Sequence, residues 1–200
     1  MLDSARAEDD DLVGSDDRPA VVGGTEVDAT AAEPTPRPSG AEPWLLLLGP
    51  VELRVDGQRM PLGGPVQRAV LVALALQRDR PVEVDHLLAE VWGPDTAERT
   101  VRSLATLVSR LRRAVEPLGS SIDHEHGAYV LRRAPPTDVD VFTQHVERSR
   151  GLAAADDPAR ALAEMDRALA LWRGEPFGDL TAPFVDERRS QLVEQRWTAE

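Results

Sequence analysis

The stretch Arg99-Thr100-Val101-Arg102-Ser103-Leu104-Ala105-Thr106-Leu107-Val108-Ser109-Arg110-Leu111-Arg112-Arg113-Ala114-Val115 decides how the rest of the chain is read. At about 100° per residue, Val101, Leu104, Val108, Leu111 and Val115 fall within about 80° of one another, an apolar seam that has to face a core. Arg99, Arg102, Ser103, Thr106, Arg110 and Arg113 fall within about 100° of one another on the opposite side. No acidic side chain lies between Glu98 and Glu116, so the stretch is locally +5, counting Arg112 at the edge of the seam. A solvated helix face normally mixes signs, because opposite charges one turn apart stabilise it and like charges do not. The unmixed face therefore predicts an anionic partner. A guanidinium can grip a phosphate, or O6 and N7 of guanine, with two parallel hydrogen bonds, and a helix about 10–12 Å across fits a major groove about 12 Å wide. The helix is expected to open at Asp95, with Glu98 completing a capping box, and to run to about Val115 before Pro117 and Gly119.

Upstream, Trp44 to Leu48 is apolar, and Val51, Leu53 and Val55 alternate with polar residues as in a half-buried strand. Asp56-Gly57 marks a tight turn into a return strand around Arg59 to Leu62, which makes a small antiparallel sheet. Gly64-Pro65 starts a helix that is apolar on nearly every side from Ala69 to Leu76. Another helix follows Pro81, with Val84, Leu87, Leu88, Val91 and Trp92 on one face and a stop at Gly93-Pro94. Downstream, Ser121 to His124 and Ala128 to Leu131 read as a hairpin turning through Glu125-His126-Gly127 and ending in Arg132-Arg133. Beside a DNA-binding helix this hairpin is a wing, with His126, Arg132 and Arg133 as its candidate contacts; otherwise it closes the sheet, with Tyr129 packed in the core. From Asp138 the pattern is helical only: about Val139 to Ala153, then a helix from Asp157-Pro158 to Gly174, then one from Ala182 that is still in progress at Glu200. The middle helix carries Ala161, Leu162, Met165, Ala168, Leu169 and Trp172 on one face.

Composition narrows the chemistry. All 23 basic side chains are arginine, so a Schiff-base lysine, a P-loop lysine and a receiver-domain lysine are excluded. There is no cysteine, which removes disulfides, thiolate zinc sites and cysteine nucleophiles. His124 and His126 face the same way on a strand but no cluster completes a metal site, His86 and His145 sit singly in helices, and Leu62-Gly63-Gly64-Pro65 is a strand-to-helix turn. No nucleophile and base have persuasive spacing, so an enzyme and a cofactor are not expected. The net charge of −12 divides into −8 over residues 1–43, +1 over 44–133 and −5 over 134–200. Residues 1–43 hold no aromatic residue and few large aliphatics, so they are expected to be a disordered acidic tail, one that competes with DNA for the arginine face. No signal-peptide zones and no apolar run of about 20 residues are present, which makes a soluble, cytoplasmic protein without a membrane partner the expectation.

Leu48-Gly49-Pro50-Val51, Gln67-Arg68-Ala69-Val70-Leu71, Val91-Trp92-Gly93, Val108-Ser109-Arg110-Leu111-Arg112-Arg113 and Gly127-Ala128-Tyr129-Val130-Leu131, in this order, resemble the Streptomyces antibiotic regulatory protein (SARP) family. Ala170-Leu171-Trp172-Arg173-Gly174 looks like the bacterial transcriptional activator domain that accompanies it. The resemblance implies an α+β winged helix-turn-helix of the OmpR type over 44–133, with an N-terminal antiparallel sheet, three helices and a hairpin wing. It implies an all-α tetratricopeptide-like domain, here truncated, over 134–200. It further implies a transcriptional activator whose third helix reads promoter repeats in double-stranded DNA and which recruits RNA polymerase to secondary-metabolite genes, and leaves a homo-oligomer on DNA open. Ala128 interrupts the family's glycine-tyrosine step, which predicts a longer or bulged wing. The competing expectation is a protein-interaction module of a regulatory complex that binds DNA weakly or not at all.

Overall fold

In the computed structural model residues 44–94 and 99–198 are described, without the side chains of Arg99 and Thr100. The acidic tail 1–43 and the capping box Asp95–Glu98 lie outside the described residues. β1 (Trp44–Leu46), β2 (Glu52–Val55) and β3 (Gln58–Met60) form an antiparallel sheet in chain order, with Leu53 opposite both Leu45 and Met60. The β2–β3 turn is Asp56-Gly57, both at positive φ, the backbone twist that a two-residue hairpin needs. α1 (Pro65–Leu76) follows with proline at its first turn, where a missing N–H costs nothing, and buries every residue from Ala69 to Ala75. α2 (Val84–Trp92) turns Leu87, Leu88 and Val91 inward and ends at Gly93, whose φ of +95° favours glycine.

Between α1 and α2 lies β4 (Val82–Glu83), which pairs with β6 (Ala128–Arg132) so that the second sheet runs β4–β6–β5, with β5 at Ser121–Glu125. A strand of two residues has no period to detect, and the sequence reading had no place for it. The hairpin is regular: Glu125 faces Ala128 and His124 faces Tyr129 across a two-residue turn of His126 and Gly127. The expected bulge at Ala128 is therefore absent, because Ala128 fills an ordinary paired position, buried. α3 (Arg99–Val115) seats Leu104, Val108, Leu111 and Val115 in the core, packed against α1 and α2. Each such side chain contributes about 1.5–3 kcal/mol by leaving water. Val101, expected in this seam, is instead 49% exposed.

The helices that follow are α4 (Asp138–Ala154), α5 (Pro158–Leu169) and α6 (Pro183–Trp197). α4 starts with a full capping box: Asp140 N–H donates to Thr137 Oγ1 at 3.1 Å, and Thr137 N–H to Asp140 Oδ2 at 3.1 Å. α4 and α5 pack together through Ser149 Oγ–H donating to Ala161 O at 2.8 Å and the buried His145–Glu164 pair at 2.6 Å. α5 stops at Leu169 rather than Gly174, and Leu162 is 64% exposed, so the face expected on this helix is narrower than its spacing suggests. Trp172 lies past the helix end, edge-on to Phe142 at 5.5 Å. α6 lies against α2.

One buried acid ties the first sheet to these helices. Leu47 and Leu48, expected as the end of a strand, donate their N–H groups to the Asp138 carboxylate at 2.6 and 3.0 Å. Their carbonyls accept from Phe177 N–H at 2.8 Å and Arg173 N–H at 2.7 Å. All four backbone groups are satisfied by residues about 90 or more positions away, which is why β1 ends at Leu46. The approach is close enough that a Cβ on Gly178, at φ +55°, would stand 2.8 Å from Pro50 Cα. The described residues form one compact unit.

Candidate nucleic-acid interface

The core seam of α3 fixes which of its residues face outward. Arg102, Ser103, Thr106, Arg110 and Arg113 are all exposed, as are Ala105 and Ser109, which the sequence reading did not single out. Thr106 Oγ–H donates to Arg102 O at 3.1 Å, one turn back, so its lone pairs still point outward. Arg99 begins the helix; its side chain lies outside the described residues. From Arg102 to Arg113 the helix rises about 16 Å, the height of about five stacked base pairs.

Several arginines elsewhere in the chain are paired with carboxylates. Arg68 is paired with Asp179, Arg78 with Asp140, Arg167 with Glu164, and Arg189 with Glu175 and Asp186. Arg173 reaches both Asp138 and Glu52. Among the described residues no carboxylate pairs with Arg102, Arg110 or Arg113. Three exposed guanidinium groups on one helix face, without a carboxylate partner among the described residues, form a concentrated positive field.

Arg112 does something else. Its Nε–H donates to Ile122 O at 2.7 Å and so ties α3 to β5, on the side of that strand away from β6. Arg112→Ala is expected to lower stability by about 1–3 kcal/mol, since the bond is charge-assisted and the carbonyl part-buried. Arg110→Ala, on the open face, is expected to change it by less than about 0.5 kcal/mol. Urea unfolding of the two variants checks the contrast; equal losses would contradict it.

The wing residues do not come together. His126 sits at the hairpin tip, exposed, with φ +50°. Arg132 and Arg133 sit at the base, about 13 Å along the strand from the tip. The Arg132 guanidinium donates to both oxygens of Glu125 at 2.9 Å and lies 3.7 Å from Asp123, and the Glu125 hydrogen bonds push its pKa further up. Asp123 and Glu125 alternate along the same hairpin face as Arg132, a signal present in the sequence that pairs all three. Arg133 is exposed at φ +52°, its N–H donated to Asp79 Oδ1 at 2.5 Å and its carbonyl accepting from Ser120 Oγ–H at 2.7 Å. Tyr129 is buried under the hairpin and its ring meets that of His124 at a tilt of 44°, ring centres 4.7 Å apart. Among the described residues no group of three or more His, Asp or Glu side chains is placed to hold a metal ion, and no helix is long and apolar enough to cross a membrane.

Residues 58–128 match the family model described as transcriptional regulatory protein, C terminal, and residues 137–200 match the bacterial transcriptional activator domain. The regulatory protein AfsR of Streptomyces coelicolor is 31% identical over 157 residues, 75% of this chain and 15% of that protein. The transcriptional regulatory protein EmbR of Mycobacterium tuberculosis is 34% identical over 161 residues, 75% of this chain and 40% of that one. The chain thus spans less than half the length of these relatives. A solved structure of Mycobacterium tuberculosis EmbR in complex with a low-affinity phosphopeptide superposes with a TM-score of 0.72 at 30% identity, covering 79% of this chain and 43% of that chain.

Proposed function

The chain belongs to the Streptomyces antibiotic regulatory protein (SARP) family of transcriptional regulators, and we propose that it binds promoter DNA through the exposed arginine face of α3. The observation that carries this reading is that Arg102, Arg110 and Arg113 share one exposed face of α3, where no carboxylate among the described residues pairs with them. Arg99, Ser103 and Thr106 complete the face. α3 lies in the major groove, His126 at the hairpin tip reaches toward the adjacent groove, and Arg133 adds a backbone contact. Arg132, neutralised by Glu125 and Asp123, serves the hairpin rather than the DNA.

In this reading residues 44–133 are the DNA-binding domain and 134–200 part of the activator domain, which recruits RNA polymerase in the cytoplasm to genes of secondary metabolism. Copies of the chain sit side by side on repeated sites. Arg102→Ala tests it: the variant is expected to lose about 1–3 kcal/mol of affinity and to discriminate less among sites. Electrophoretic shifts measure both. Identical affinity for specific and scrambled duplexes, in wild type and variant alike, overturns the proposal.

A second reading, a protein-interaction module of a regulatory complex that binds DNA weakly or not at all, draws support from the phosphopeptide held by the solved EmbR. A peptide bearing one or two phosphates would leave duplex affinity low and only weakly dependent on salt, whereas several DNA phosphate contacts give a steep dependence.

A further inference from the structure

Val101 is an exposed large apolar side chain near the N-terminal end of α3, in the phase of the core seam and about 100° around the helix from Arg102. Its place is specific. It lies one position before Arg102 and one turn before Ala105, with Ser109 a further turn on, so Val101, Ala105 and Ser109 form an uncharged strip along the edge of the arginine face. All three are exposed. A half-exposed β-branched residue in a helix forgoes much of the gain from burial and loses some helix propensity relative to alanine. Its value has to come from what it meets.

The N-terminal part of a helix lying in the major groove is the part that approaches base edges, and helical side chains tilt toward that end. Among the groups displayed there the only apolar one is the C5-methyl of thymine; all others donate or accept hydrogen bonds. We propose that Val101, with Ala105 one turn on, reads a thymine methyl beside the base contacted by Arg102. This makes Val101 a specificity-determining residue, and the proposal rests on α3 being the DNA-reading helix. The arginine supplies charge and hydrogen bonds, and the valine selects thymine by packing.

Deoxyuridine substitution isolates the methyl, because it leaves every hydrogen-bonding group of thymine in place. Duplexes recovered by selection from random sequence would be remade with each thymine replaced singly, and bound by wild type, Val101→Ala and Arg102→Ala. Wild type is expected to lose about fourfold at one position in each repeat, the worth of one buried methyl group. Val101→Ala is expected to bind the thymine and deoxyuridine duplexes nearly alike at that position. Val101 is half exposed, so the substitution leaves the core of α3 in place. If no thymine shows the loss, or if Val101→Ala keeps the fourfold difference, the assignment of Val101 is overturned. Arg102→Ala separates the two levels: weakened binding with no methyl effect overturns the Val101 assignment alone, while unchanged binding overturns the reading of α3 and this inference with it.

Discussion

Asp138→Ala is expected to destabilise the chain by about 2–6 kcal/mol, since two buried N–H groups lose their acceptor and each unsatisfied group costs about 1–3 kcal/mol. Those groups are the amides of Leu47 and Leu48, which have turned away from the first sheet to reach the carboxylate. Against a total of about 5–15 kcal/mol for a domain of this kind, that loss is a large share. Asp138→Asn is expected to fall between wild type and alanine: its one carbonyl can accept one N–H, but its amide group would face the other donor with a donor. Urea unfolding measures all three, and an alanine variant within about 0.5 kcal/mol of wild type would contradict the role given to Asp138.

The pH dependence of this junction has a worked sign. Burial pushes the Asp138 carboxyl above the usual carboxylate range, more than the Leu47 and Leu48 N–H groups and Arg173 pull it down. A raised folded value means that this group favours folding most in acid, and that its contribution is lost as pH rises through the raised value. Asp140, two residues on, behaves oppositely. Burial raises its pKa, but Arg78 and Thr137 outweigh that and hold it below the usual range. Its contribution is present above that range and lost as pH falls through the lowered value. The first turn of α4 thus carries two acids with opposite pH preferences.

The second large effect is on binding alone. Replacing Arg102, Arg110 and Arg113 together by alanine is expected to leave unfolding within about 0.5 kcal/mol of wild type per site, because all three are exposed. Duplex affinity is expected to fall more than about a hundredfold at low salt, from about 1–3 kcal/mol at each position that touches DNA. The log–log dependence of affinity on salt is expected to become shallower by about 0.9 for each phosphate contact removed. The same three positions changed to lysine should keep most of the salt dependence while losing discrimination, since an ammonium holds a phosphate as a point charge but cannot form the planar fork that guanine accepts. A triple alanine variant that binds as wild type would place the DNA contact elsewhere.

What the sequence made legible is the part of the fold governed by local pattern. The α3 seam, the buried α1, the Asp56-Gly57 turn and the hairpin around His126-Gly127 all follow from periodicity or turn chemistry acting within a few residues. What escaped was decided at a distance. Leu47 and Leu48 look like strand, yet their amides go to a side chain about 90 residues away. β4 is two residues long and exists because β6 offers it an edge. Val101 has the phase of the core seam, but phase says nothing of whether a neighbour covers that end of the helix. Arg112 and Arg132 are indistinguishable from the other arginines by composition, and only the position of Ile122 O and the register of the hairpin give them structural duties. The outward face of α3 was readable because it needed no tertiary information beyond which side packs.

The most direct test of that face is selection of bound duplexes from a random-sequence pool by the intact 200-residue chain, run beside the Arg102, Arg110 and Arg113 triple alanine variant. The account predicts enrichment of a defined sequence by the wild type, present as repeats, and none by the variant. Enrichment of the same sequence by both proteins, or by neither, would contradict it.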